Sequence, residues 1–230
     1  MTTLIPRPHY TERIAPFIGK NIIKVLTGQR RIGKSFILRQ VMEEIRRKEP
    51  EAHIISINKE LEQFRDIRTH EDLSHYLEPL LSKPGPHYLF IDEVQEIEDF
   101  QFCLRSLLAE EKCDIFCTGS NAQMLSGELA THLAGRSVSF DVHSLSYREF
   151  LTFHRLEAGQ ENLKKYLTFG GMPYLAHRAG SRCSFRVFAF RLFHHSVEGY
   201  GGPGENTQCA FLGRSRGLSG RQYRQSVFSQ

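Results

Sequence analysis

The sequence predicts an α/β fold in three layers, a parallel sheet of about five strands with helices on both faces. Three observations carry that prediction. Over the first 177 residues, apolar runs of strand length alternate with segments of helical period, the pattern of a parallel sheet buried between helices. A glycine-rich turn, Gly28-Gln29-Arg30-Arg31-Ile32-Gly33-Lys34-Ser35, joins the first apolar run to the first long helical segment. Another apolar run ends directly in two acids, Asp92 and Glu93.

The elements follow in order. Ile23 to Thr27 is an apolar strand, and Lys34 to about Lys48 is an amphipathic helix closed by Pro50. His53 to Ile57 is a short buried strand, Leu61 to Thr69 a polar connector, and Glu71 to Leu81 a helix ended by Lys83-Pro-Gly-Pro86. His87 to Ile91 is the third strand. Helical spacing returns from Phe100 to Glu111, and Asp114 to Thr118 is the fourth strand. Asn121 to about Ala134 reads as a helix, Ser137 to Val142 alternates as a fifth strand, and helices follow near 146–153 and 161–169. One strand lies between the two motif-bearing strands, and a truncated helical segment follows the sheet.

The composition, 40% hydrophobic and 24% charged with a net charge of +4, is that of an ordinary globular chain. No apolar run approaches the roughly 20 residues of a membrane span, and the N-terminus carries no secretory pattern. Five cysteines show no paired metal spacing. A reduced, cytoplasmic setting is therefore expected.

The turn Gly28–Ser35 carries the chemistry. Backbone N–H groups of such a turn, with the positive end of the following helix, form an anion site. Gly28 and Gly33 permit conformations and a close phosphate approach that a Cβ obstructs. Lys34 reaches β- and γ-phosphates, and the Ser35 hydroxyl takes one Mg²⁺ position. Gln29, Arg30, Arg31, Ile32 and Phe36 complete the candidate nucleotide-binding set, with Arg30 and Arg31 equally suited to solvent or a partner. Asp92, at the strand's carboxyl end, holds Mg²⁺ through water. Glu93 polarises the attacking water as general base. Ser120 and Asn121, after the fourth strand, are candidates to bond the γ-phosphate or the water, with Asn121 also suited to cap a helix. Arg136 is a candidate arginine finger or γ-phosphate sensor, or a plain surface arginine.

These stretches, together with Ile5-Pro-Arg7-Pro-His-Tyr10, Phe90-Ile-Asp-Glu93, Thr118-Gly-Ser-Asn121, Leu133-Ala-Gly-Arg136, Leu145-Ser-Tyr-Arg-Glu-Phe150 and Gly170-Gly-Met-Pro173, resemble the AAA-type P-loop ATPases of bacteria and archaea that carry a second conserved domain of unknown function. The resemblance spans residues 5 to about 177. It implies a P-loop NTPase sandwich with the strand order 5-1-4-3-2, ATP and Mg²⁺ as ligands, and hydrolysis with Lys34, Ser35, Asp92 and Glu93 in the roles above. It also implies that Arg7 and Tyr10 lie near the nucleotide base.

After His177 the character changes. Eight arginines stand against two acids, about +6, so the preceding residues carry about −2 of the total. Glycine and serine cluster there, and no helical or strand period persists. The expected organisation is an ATPase domain over 1–155, the start of a second helical domain over 156–177, and an aberrant basic tail over 178–230. The tail reads either as a nucleic-acid contact or as a segment that does not fold. Members of the resembled family continue instead with acidic, Leu-rich helices. Back-translation from Gly180, read from the second base of each codon, gives an open frame with lysines, acids and helical period, so a shifted reading frame is expected near codons 175 to 185. Three functional classes follow: an ATPase that acts on a protein or nucleic-acid partner, with assembly into a homo-oligomer open; a nucleotide-regulated DNA-binding or signalling module; and a product that only binds nucleotide.

Overall fold

The computed structural model describes residues 5–119, 133 and 135–173. Five strands, β1 (Ile23–Thr27), β2 (His53–Asn58), β3 (His87–Asp92), β4 (Asp114–Gly119) and β5 (Ser137–Asp141), form one sheet in the order β2-β3-β4-β1-β5. Every pairing is parallel. This is the predicted order read from the other edge. β1 and β3 are buried at every position, as strands covered on both faces must be.

Six helices surround the sheet among the described residues: α1 (Pro8–Ile14), α2 (Lys34–Lys48), α3 (His70–Leu81), α4 (Phe100–Ala109), α5 (Tyr147–His154) and α6 (Gln160–Phe169). Alternate strand positions feed two cores, because successive side chains point to opposite faces. Val25, Ile57, Leu89, Ile91 and Ile115 pack with Leu73 and Leu77 of α3 and Leu104 of α4. Leu26, Phe90, Phe116 and Phe140 pack with Ile14 of α1 and with Ile37, Leu38, Val41 and Ile45 of α2.

Local chemistry sets the helix starts. Thr69 and Asp72 form a reciprocal capping box for α3, and Ser146 and Glu149 form one for α5, each satisfying two backbone donors. At the opposite edge of the sheet from the motif acids, Lys24 is fully buried and bonded to Asp114 and to the Lys20 carbonyl. Burial holds the Lys24 ammonium below its ordinary value and the Asp114 carboxyl above its own.

Some local features depart from the sequence reading. No helix is expected before Ile23, yet α1 forms, with Pro8 in its first turn, where a missing N–H costs nothing. The connector over 61–69 is not uniformly polar and exposed, for Phe64 and Ile67 are buried and anchor a short 3₁₀ turn, Glu62–Phe64. The helix expected from Asn121 lies almost wholly outside the described residues, as does all of 178–230. Residues 156–173 pack back on the sheet domain: the Tyr166 ring meets those of Tyr147 and Phe150, and Met172 joins the α2-side core.

Candidate nucleotide site

β1 delivers the chain into the turn at the carboxyl edge of the sheet, and α2 starts at its end. Gly28 has φ 142° and Gly33 φ 99°, both in the region that favours glycine. A Cβ on Gly28 would run into the Val142 carbonyl and the Ile32 side chain. Arg31 also sits at positive φ, 67°. No side chain caps α2 at Gly33, so its leading N–H groups are left for an anion.

Lys34 is buried, and its ammonium closes the loop by donating to the carbonyls of Gly28 (2.9 Å) and Gln29 (3.1 Å). It lies 3.9 Å from Glu93 Oε1. Burial lowers its affinity for a proton, and the charges of Glu93 and Asp92 act against that shift.

β3 carries Asp92 to the same edge, two strands away from β1, with the end of β4 between them. Thr118 of β4 bridges the gap. Its buried hydroxyl donates to Asp92 Oδ1 (2.6 Å) and accepts the Glu93 N–H (2.9 Å). Glu93 adopts left-handed backbone, φ 57° and ψ 53°, which costs an L-residue about 1–2 kcal/mol. The Thr118 bond holds it there. Gln95 Nε2 donates to Glu93 Oε2, while Gln95 Oε1 is buried without a hydrogen-bond partner.

The structure thus brings Lys34, Asp92 and Glu93 together, beside the half-buried Ser35. Other candidates fall elsewhere. Arg30 points outward and pairs with Glu96 at 3.8 Å, both well exposed. The Ile32 side chain is buried in the α2-side core, so only its backbone is available to a phosphate. Phe36 is exposed beside Arg39, and Gln29 is exposed. Ser120 and Asn121 lie outside the described residues. Arg136 precedes β5, whose Ser137 is in register with Ile23. It is exposed at the opposite edge, about 16 Å from the loop at the rise of five strand residues. That distance is too long for the γ-phosphate sensor contact at this chain's own loop.

Arg7 and Tyr10 serve the loop rather than lie open for a base. Arg7 Nη1 donates to the Ile32 carbonyl (3.1 Å), Nη2 to the His143 carbonyl (3.0 Å) and Nε to Glu149 Oε1 (2.8 Å). The Tyr10 hydroxyl accepts the His143 N–H (2.9 Å). Thr118 and Glu149 lie inside stretches that carry the family resemblance, but the sequence attaches no role to them or to Gln95. Thr118 had one usable signal, its place at the end of the strand that must neighbour β3 in the predicted order.

The residues fit a magnesium–nucleotide. The loop takes its shape from two positive-φ glycines, Gly28 and Gly33, and no side chain caps α2. A hydroxyl and a carboxylate with a free oxygen, on Ser35 and Asp92, supply the hard oxygen donors that Mg²⁺ takes.

A parallel sheet with a glycine loop at β1 and acids at the end of β3 defines the P-loop nucleotide-binding class. Within it the chain belongs to the AAA domain family, which matches residues 20–151. It is 32% identical over 176 residues to an uncharacterized protein of Haemophilus influenzae, across 74% of this chain and 44% of that protein. It is 32% identical over 164 residues to an uncharacterized protein of Methanocaldococcus jannaschii, across 66% of this chain and 36% of that one. The chain therefore spans less than half the length of these relatives. Among solved structures, the Saccharomyces cerevisiae Hsp104–ADP complex superposes with TM-score 0.59 at 17% identity, over 76% of this chain and 30% of that one. AMPPCP-bound DnaA of Aquifex aeolicus gives 0.52 at 16%, over 74% and 58%. Both are likenesses of fold. No described helix is long and apolar enough to cross a membrane.

Proposed function

We propose that this nucleotide-binding AAA domain binds ATP with Mg²⁺ at Gly28–Ser35 and hydrolyses it, coupling nucleotide state to a protein or nucleic-acid partner. The observation that carries the reading is the convergence of Lys34, Asp92 and Glu93 on one edge, with Lys34 3.9 Å from Glu93. In this reading the loop N–H groups and Lys34 take the phosphate oxygens, as the loop carbonyls give up the ammonium. Ser35 and Asp92 hold Mg²⁺, which neutralises charge developing on the phosphates. Glu93, fixed in its unusual backbone by Thr118 and oriented by Gln95, accepts the proton of the attacking water. Ser120 and Asn121 remain candidates for the γ-phosphate. Arg136 would act on a second copy, which makes a homo-oligomer part of the proposal, with the domain organisation 1–155, 156–177 and 178–230 and a reading-frame shift near codons 175–185.

Phosphate release with and without Mg²⁺ tests the core of this. Glu93→Gln should keep nucleotide affinity and lose turnover by about 100- to 10,000-fold; unchanged turnover removes Glu93 from its role. The basic composition of 178–230 favours one second reading, a nucleotide-regulated DNA-binding module. Turnover that does not respond to DNA, with no DNA retention, counts against it.

A further inference from the structure

We propose that Arg7 is a positioning residue that couples the phosphate loop to α5 and α6, so that a nucleoside triphosphate on the loop tightens the helical segment ending at Phe169. This rests on the nucleotide-binding reading above and goes beyond it. The guanidinium is 5% exposed and touches two regions far apart in sequence. On one side Nη1 holds the Ile32 carbonyl. That carbonyl and the Gly33 N–H belong to one planar peptide group and point in opposite directions. Holding the carbonyl from behind therefore aims the Gly33 N–H away from the guanidinium, toward the side of the loop that an anion would occupy. Arg7 itself is fixed on α2, since its N–H donates to Gln40 Oε1 (3.0 Å) and Gln40 Nε2 returns a bond to the Ile5 carbonyl (2.9 Å).

On the other side the guanidinium meets Glu149, whose second oxygen accepts the Ser146 N–H (2.8 Å) and so caps α5. Burial works to raise the Glu149 pKa, but the bonds from Arg7 and Ser146 outweigh it and hold the carboxyl below its ordinary value. Next to the cap, the Leu145 N–H donates to the Gly171 carbonyl (2.7 Å) and the Leu145 carbonyl accepts the Tyr166 hydroxyl (2.9 Å). Hydrogen bonds and the one peptide step from Ser146 to Leu145 thus link the Gly33 peptide to the start of α5 and the end of α6. An anion bonded to the Gly33 N–H polarises that peptide and strengthens its carbonyl as an acceptor for Arg7. By linkage, whatever favours the docked α5 then favours nucleotide, and the reverse.

Hydrogen exchange on the full chain, with and without Mg²⁺ and a non-hydrolysable ATP analogue, tests this. In the wild type, nucleotide should slow exchange in 28–37 and also in 143–151 and 160–171, the latter on the order of tenfold. In Arg7→Gln at saturating nucleotide, 28–37 should stay protected while the helices no longer respond. Arg7→Lys, which keeps the charge but not the fork, and Glu149→Gln should show the same loss, and they carry the comparison if Arg7→Gln does not fold. A brace that only stabilises the fold would change exchange equally with and without nucleotide. Helices indifferent to nucleotide in the wild type, or equally responsive in all variants, overturn the coupling while leaving the nucleotide site standing. No protection at 28–37 in the wild type overturns both.

Discussion

Thr118→Val isolates one hydroxyl at the centre of the site. Valine has nearly the same shape, and Thr118 is fully buried, so the substitution opens no cavity. What disappears is polar: the bond to the Asp92 carboxylate and the acceptor for the Glu93 N–H. A hydrogen bond to a charged group contributes about 1.5–3 kcal/mol, and an orphaned N–H costs about 1–3 kcal/mol. Burying a methyl in place of a hydroxyl returns about 1 kcal/mol. The net loss is about 1.5–5 kcal/mol, a fall in Tm of roughly 3–20 °C for a chain of this size. Without its tether Glu93 relaxes from left-handed backbone, and a displaced base should slow turnover on the order of 100-fold. Nucleotide affinity, which depends on Gly28–Ser35, should change far less. Urea unfolding and single-turnover phosphate release measure both quantities, and Thr118→Ser, which keeps the hydroxyl, should stay near wild type in turnover. A Thr118→Val variant within about 0.5 kcal/mol of wild type, with normal turnover, refutes the bridge.

Three further outcomes follow from the same geometry. Lys24→Met leaves the Asp114 carboxyl buried without its cation and should cost about 3–5 kcal/mol in urea unfolding; adding Asp114→Leu should recover part of that, since burial opposes both charges, and a double variant no better than the single refutes it. Glu149 has a folded-state value below its ordinary 4.5, so its contribution is full above that pH and is lost as pH falls through the lowered value. The stability gap between wild type and Glu149→Gln should therefore be flat near neutrality and shrink in acid; a gap that widens in acid contradicts this. Gly28→Ala combines a glycine-only φ with a clash against Val142. It should lose about 1–3 kcal/mol and nucleotide binding together, seen by thermal melting and by titration with a fluorescent nucleotide.

What the sequence made legible is what it encodes locally. β3 carries the continuous apolar run Tyr88–Ile91 because both its faces are covered, and Gly28–Ser35 and Asp92–Glu93 each pack their chemistry into adjacent residues. The order of strands came with the family resemblance that those motifs carry. Residues that act by tertiary neighbourhood left no such trace. Arg7 and Glu149 are separated by 142 positions; the Ser146–Glu149 spacing announces a helix cap, but nothing in either stretch announces their bond to each other. Gln95 is a polar residue in a short turn, and only its bond to Glu93 distinguishes it. α1 is seven residues long, too short for a helical period to declare itself, and Phe64 and Ile67 are too isolated to mark their stretch as packed.

The Arg7–Glu149 bond also has a history in time. Arg7 leaves the ribosome 142 residues before the carboxylate it binds, on the order of ten seconds at ordinary elongation rates. Through that interval the nascent chain holds a phosphate loop whose Ile32 carbonyl has no fixed guanidinium behind it. The brace closes only when the last strand and α5 have emerged. A growing chain therefore completes its nucleotide grip late, after nearly all of the described architecture has been made.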